Sequence, residues 1–135
     1  MSVHRGSCLC GSVRYEVHGE FGPAIYCHCS RCRKANGTAF ATNAPVAEKD
    51  FAVVAGANVL KAYFNAATGT HRMFCGNCGS PIISKRDSLP GVVRVRLGTL
   101  DTPLPRERWP QGHYYVASKA EWDDIHDDLP QHAER

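Results

Sequence analysis

Apolar and polar residues alternate along this chain in short runs rather than in long helical stripes. Val13-Arg14-Tyr15-Glu16-Val17-His18 has a period of two, the pattern of a strand with one face buried. Gly91 to Leu97 is the clearest case, with Val93, Val95 and Leu97 on one face and Val92, Arg94 and Arg96 on the other. Ala24 to Tyr26, Thr38 to Thr42, Thr70 to Phe74, Ile82 to Ser84 and His113 to Val116 read as further short strands. Phe51 to Ala55 and Val59 to Phe64 flank a Gly56-Ala57-Asn58 turn, which predicts a hairpin. Helix is scarce. Ser30 can cap a brief turn over Arg31 to Asn36, ended by Gly37. Ser118-Lys119-Ala120-Glu121 fits a capping box ahead of one or two helical turns. Pro103, Pro105 and Pro110 mark an irregular loop between them. Many short strands joined by Gly/Pro turns predict a mainly-β domain.

With 135 residues the chain is long enough for one domain and too short for two ordinary ones. We assign residues 3–129 to that domain and residues 130–135 to a short polar tail. No apolar run approaches the length of a membrane span, and there is no repeat or low-complexity segment. Net charge is +3, unevenly spread: residues 121–135 hold six acidic groups against Arg135, so the preceding 120 residues carry +8. A moderately cationic body suits a small anionic ligand. Without a Lys/Arg run, nucleic acid is not expected as a partner, and neither is a membrane. Met1 to Gly6 is polar and starts no apolar export signal, so a cytoplasmic, reducing setting is expected.

The candidate chemistry lies in the cysteines. All seven fall in three tight groups: Cys8-Leu9-Cys10, Cys27-His28-Cys29-Ser30-Arg31-Cys32 and Cys75-Gly76-Asn77-Cys78. A C-x-C or C-x2-C pair bends the chain so that both sulfurs can face one ion. Two such pairs make a closed site of four sulfurs, whereas three thiolates leave a fourth position open. The count therefore suggests one structural zinc and one zinc able to bind something else. Closing Cys8/Cys10 and Cys75/Cys78 on one ion would staple distant parts of the chain and add strongly to folding. Disulfides fit poorly with an odd count and adjacent pairs. Inert buried thiols do not fit three clusters in turn-like contexts. An iron–sulfur cluster stays open as an alternative to zinc.

Three motifs carry a resemblance to a known family. They are Gly6-Ser7-Cys8-Leu9-Cys10-Gly11, Cys27-His28-Cys29-Ser30-Arg31-Cys32-Arg33-Lys34 and Phe74-Cys75-Gly76-Asn77-Cys78-Gly79-Ser80-Pro81. Gly98-Thr99-Leu100-Asp101 and Ser118-Lys119-Ala120-Glu121-Trp122 follow in order. Together they resemble the glutathione-dependent formaldehyde-activating enzymes and centromere protein V. The resemblance implies a single-domain β-tent fold of small antiparallel sheets around a four-cysteine zinc site. It implies that Cys8, Cys10, Cys75 and Cys78 hold a structural zinc, and that Cys27, Cys29 and Cys32 hold a second, open one. Two zinc ions per chain are the cofactor expectation.

A three-thiolate zinc accepts a substrate thiol and favours its ionised form. The leading expectation is thus a carbon–sulfur lyase-type enzyme working on thiol–aldehyde adducts. The resemblance makes glutathione the first candidate thiol and S-(hydroxymethyl)glutathione the first candidate adduct. Arg31, Arg33 and Lys34 flank the metal loop and are candidate anion contacts; Arg94 and Arg96 share a strand face. Singly, each reads as ordinary solvated charge. His28, between two ligands, should point away from the metal and act as a supporting residue. His71 is either a proton carrier or, more simply, a surface histidine. Tyr26, Phe40, Trp109 and Trp122 can line a pocket, although aromatics in so small a domain usually build the core. Two other readings use the same residues: a zinc-stabilised binding module without catalysis, and a thiol redox or zinc-buffer protein.

Overall fold

The computed structural model describes residues 3–135, arranged as two β-sheets and one short helix. The small sheet is antiparallel, in the order β1-β2-β5, from His4–Ser7, Arg14–Val17 and Phe51–Ala55. The large sheet has seven strands. β3 is Ile25–Cys27, β4 Ala41–Ala47, β6 Leu60–Asn65, β7 Thr70–Cys75, β8 Pro81–Arg86, β9 Val92–Arg96 and β10 His113–Tyr114. Their order is β10-β3-β4-β9-β8-β7-β6. This is the mainly-β, tent-like arrangement expected, with one difference. The larger sheet is neither small nor wholly antiparallel, because β10 returns along β3 in the same direction after a long irregular loop.

The alternation read from the sequence decides which face of each strand is buried. Val13, Tyr15 and Val17 pack with Ala44, Val46, Ile82, Ile83, Val93 and Val95 in one core between the sheets. Burying each aliphatic side chain of this set contributes about 1.5–3 kcal/mol. Tyr15 is buried with its hydroxyl 2.7 Å from Thr99 Oγ1, so the one polar atom it takes inside is paired. Burial pushes the Tyr15 phenol up to about 12.

Three local expectations are corrected. The Gly56-Ala57-Asn58 turn forms, but β5 pairs with β2 and β6 pairs with β7, so there is no hairpin. Gly56 instead turns a corner between the sheets at φ +78°, where an added Cβ would lie 2.1 Å from Ser12 O. The strand expected at Thr38 starts at Ala41 and runs on to Ala47. Thr38 is used up in the helix cap, where its N–H and that of Gly37 both reach Arg33 O. Pro45 is tolerated within β4 because that edge faces only Gly22, whose N–H donates to Pro45 O beyond the end of β3. The capping box at Ser118 starts no helix. Val116–Ser118 form a single 3-10 turn, and Ser118 Oγ donates back to Tyr115 O. The Lys119 ammonium then binds Ala120 O and Asp123 O, which fixes the following segment as a loop.

Residues 130–134 are held against residues 113–117 by backbone bonds. His113 N–H donates to Pro130 O, and Tyr115, Val116 and Ala117 N–H groups donate to Glu134, His132 and Ala133 carbonyls. None of the helices among the described residues is long and apolar enough to cross a membrane.

Candidate functional site

Two hairpin-like turns bring four sulfurs together. Cys8 and Cys10 lie in the turn between β1 and β2, closed by Cys8 N–H to Val13 O and Gly11 N–H to Cys8 O. Cys75 and Cys78 lie between β7 and β8, closed by Gly79 N–H to Cys75 O, with Gly79 at φ +81°. The four Sγ atoms lie within 4.8 Å of one another. Cys8 and Cys10 sulfurs are 3.6 Å apart, and Cys10 and Cys75 sulfurs 3.8 Å. A tetrahedron with Zn–S bonds of about 2.3 Å has S···S edges of roughly 3.8 Å, so the donor set fits a zinc ion. Its surroundings favour thiolate at Cys10 and Cys78, whereas the Cys75 thiol is raised. Val13 and Asn77 N–H groups donate to the sulfurs of Cys8 and Cys75. Hydrogen bonding from Ser80 brings the Cys78 thiol down to about 5, and Ser12 lowers that of Cys10.

The second group is Cys27, Cys29 and Cys32, whose sulfurs also lie within 4.8 Å of one another. Cys27 ends β3, and Cys32 sits in the first turn of α1, Ser30–Asn36. The helix is capped one residue earlier than expected. Cys29, not Ser30, is the N-cap, and its sulfur accepts from Cys32 N–H at 3.3 Å. Hydrogen bonds from Cys27 and Cys32 hold the Cys29 thiol far below its ordinary value, and the same contact pushes Cys27 up. The Cys32 thiol is raised as well, so the group favours a thiolate at Cys29, and a bound metal would supply the charge that ionises the other two.

His28, between two of these cysteines, is fully buried and faces away from them. Its Nε2 lies 2.8 Å from His113 Nδ1, and His113 Nε2 lies 3.0 Å from Asp127 Oδ2. With Asp127 ionised, His113 donates Nε2–H to it and accepts at Nδ1 from His28. Burial, and then His113 beside it, lower the His28 pKa and keep the ring neutral. Tyr26 and Phe40 pack on this pair. His28 is thus the supporting residue expected, and His113 and Asp127 extend it. Neither was visible in the sequence beside His28, because the parallel β10–β3 pairing brings in His113 and the irregular segment after β10 brings in Asp127.

A cavity of about 470 Å³ opens beside Cys27 and Cys32. That lies within the roughly 300–1,000 Å³ typical of small-molecule sites. Its floor is the face of the large sheet opposite the core. Arg72, Ser84, Arg94, Arg96 and Asn43 come from four neighbouring strands at alternate positions, in register with one another. Arg86 and Arg135 complete the cationic lining. Tyr115, at φ 60° in the left-handed region, packs on the cysteines from above. Arg96 is only 7% exposed, which overturns its reading as solvated charge. Its Nη1 donates to Asn43 Oδ1, and its Nε is buried with no partner. Burial lowers its pKa to about 10, against the attraction of Cys32, so it stays charged at neutral pH.

Arg31 and Lys34 line a second cavity of about 550 Å³, which shares Arg72 and Arg96 with the first. Arg33, in the same helix, has its Nε buried without a partner. His71 is engaged elsewhere, 2.7 Å from Asp87 and packed at a tilt on Phe64. Trp109 and Trp122 are exposed rather than core, with Arg106 lying over Trp109. Arg72 and Arg86 were missed as site residues. The available signal was that polar residues occupy alternate positions of β7, β8 and β9, which marks a sheet face that is not core.

The comparisons with known proteins agree with this geometry. The family model described as glutathione-dependent formaldehyde-activating enzyme matches residues 3–118. A crystal structure of a Rhodobacter sphaeroides protein is similar at 32% sequence identity, with a TM-score of 0.63. The match covers 76% of this chain and 93% of that one.

Proposed function

The chain belongs to the family of glutathione-dependent formaldehyde-activating enzymes, and from that premise we propose that it is a zinc-dependent carbon–sulfur lyase-type enzyme acting on thiol–aldehyde adducts. The observation that carries the reading is the group Cys27, Cys29 and Cys32, which offers three sulfurs rather than four beside an arginine-lined cavity. Cys8, Cys10, Cys75 and Cys78 would hold a structural zinc. Cys27, Cys29 and Cys32 would hold a second, giving about two per chain. Bound there, zinc would supply an open position that stabilises the thiolate form of a substrate thiol.

The chain's own residues do the rest. Arg94 and Arg96 stand next to Cys27 and Cys32 and attract an anionic thiol into the cavity. Arg31 and Lys34, which line the neighbouring cavity, and Arg33 in the same helix are further anion contacts. The Asp127–His113–His28 chain holds the loop that carries Cys27 and Cys29 in one orientation. The reaction consumes no cofactor. The thiol loses its proton, its sulfur pair forms a bond to the aldehyde carbon, and the carbonyl oxygen takes a proton; the reverse breaks that bond. Glutathione is the reference thiol and S-(hydroxymethyl)glutathione the reference adduct. Seven free thiols suit a reducing, cytoplasmic setting.

The test is exchange spectroscopy of formaldehyde with glutathione. Zinc-loaded protein should accelerate exchange between free aldehyde and adduct, and Cys29→Ser protein should not. No acceleration by the zinc-loaded protein would refute the enzyme reading and favour a non-catalytic binding module.

A further inference from the structure

The charge around the two cavities is one-sided. Arg72, Arg86, Arg94, Arg96 and Arg135 line the first, and Arg31 and Lys34 join Arg72 and Arg96 in lining the second. No Asp or Glu lines either one. The arginine and lysine ion pairs among the described residues use Arg5, Lys85 and Arg108 instead. Within the first cavity, Arg96 is almost wholly buried with Nε unpartnered, and Arg72 has a buried, unpartnered Nη1. Buried donors of this kind are normally paired, and a buried guanidinium wants an anion.

The cysteine group does not supply enough negative charge. Three thiolates around a divalent ion carry one net negative charge, so the four arginines of the sheet floor, Arg72, Arg86, Arg94 and Arg96, leave three positive charges to be met. Glutathione meets them poorly. Its two carboxylates are attracted, but its α-ammonium would enter a cavity floored by four arginines with no Asp or Glu side chain to receive it. Asn43, Ser84 and Thr70 are the neutral polar groups on offer.

Resting on the thiol–aldehyde reading above, we infer that the thiol this cavity accepts is a polyanion without an amino group, carrying two or more carboxylates or a phosphate. Arg94 and Arg96 hold the acidic group nearest the sulfur. Arg72 and Arg86, across the strand pairing of β7, β8 and β9, hold the second. The sheet register sets the spacing between them.

The experiment is calorimetric titration of the zinc-loaded protein with glutathione, N-acetylglutathione and mercaptosuccinate, paired with absorption spectra of the cobalt-substituted protein. N-Acetylglutathione and mercaptosuccinate should each bind at least tenfold more tightly than glutathione, with affinities that fall steeply with salt. Arg94→Gln, or Arg86→Gln should the first not fold, should weaken mercaptosuccinate by tenfold or more. If glutathione binds as tightly as its N-acetyl form and shifts the cobalt spectrum, the inference is overturned and the thiol reading stands. If no thiol shifts the cobalt spectrum, the thiol reading itself falls.

Discussion

His28 Nε2 sits 2.8 Å from His113 Nδ1, so the residue between Cys27 and Cys29 is tied to the last strand and not to the cysteine group. The bond is buried, and Asp127 orders it from the surface side. His113→Leu should strand the His28 N–H and cost about 1–3 kcal/mol, read from chemical denaturation. Metal content should be unchanged. Loss of one ion in that variant would make His28 or His113 a ligand and undo the assignment.

Cys8→Ser and Cys29→Ser should differ. Cys10 and Cys75 are 65 residues apart in sequence, and an ion joining their turns would close that loop. Breaking it removes a constraint worth about 4 kcal/mol, so Cys8→Ser or Cys78→Ser should lower the melting temperature steeply. Cys29→Ser should leave a folded protein with one metal fewer. Equal destabilisation by all three would mean both ions are structural.

A thiol proton should matter at the open site. Glutathione should perturb the charge-transfer absorption of cobalt-substituted protein, and S-methylglutathione, which cannot form a thiolate, should leave it unchanged. Identical spectra with both would rule out sulfur ligation.

Gly56→Ala should be severe. The new methyl would meet the Ser12 carbonyl at 2.1 Å in a left-handed backbone, with main chain rather than a flexible tip in the way. About 3 kcal/mol or more is expected, seen as a fall in midpoint. Gly37→Ala meets nothing within 4 Å and should cost only the backbone penalty of about 1 kcal/mol.

The loop that carries Asp127 should loosen in acid. Hydrogen bonding from His113 lowers the Asp127 pKa below its ordinary 3.8. A folded-state pKa below the unfolded one stabilises above pH 3.8, and the gain is lost as pH falls through the lower folded value. The melting-temperature gap between wild type and Asp127→Asn should be full at neutral pH and close in acid. A gap that persists at pH 2 would point to packing rather than charge.

The cysteine groups were legible because ligand spacing is local: two or three residues decide whether sulfurs converge. Strand positions were legible for the same reason, as in Val93 and Val95. Pairing was not. Gly56-Ala57-Asn58 says where the chain turns but not that β5 and β6 join different sheets. The arginine floor was half legible. Arg94 and Arg96 share a face by periodicity, but Arg72 and Arg86 join them only through the order of the large sheet. Ser118 and Glu121 satisfied a local helix signal that the Lys119 contacts and the loop after it override.

The two turns that make the four-sulfur group have a consequence for timing. Each is closed by short-range backbone bonds, so each bidentate grip can form early and alone, within microseconds as hairpins do. Joining them is the slow event, because it must wait for strands far apart in sequence. An ion that grips one turn during the search carries a ready anchor for the other. Metal supply at the moment of synthesis should therefore govern how fast this chain reaches its native state, and not only how stable it is once there.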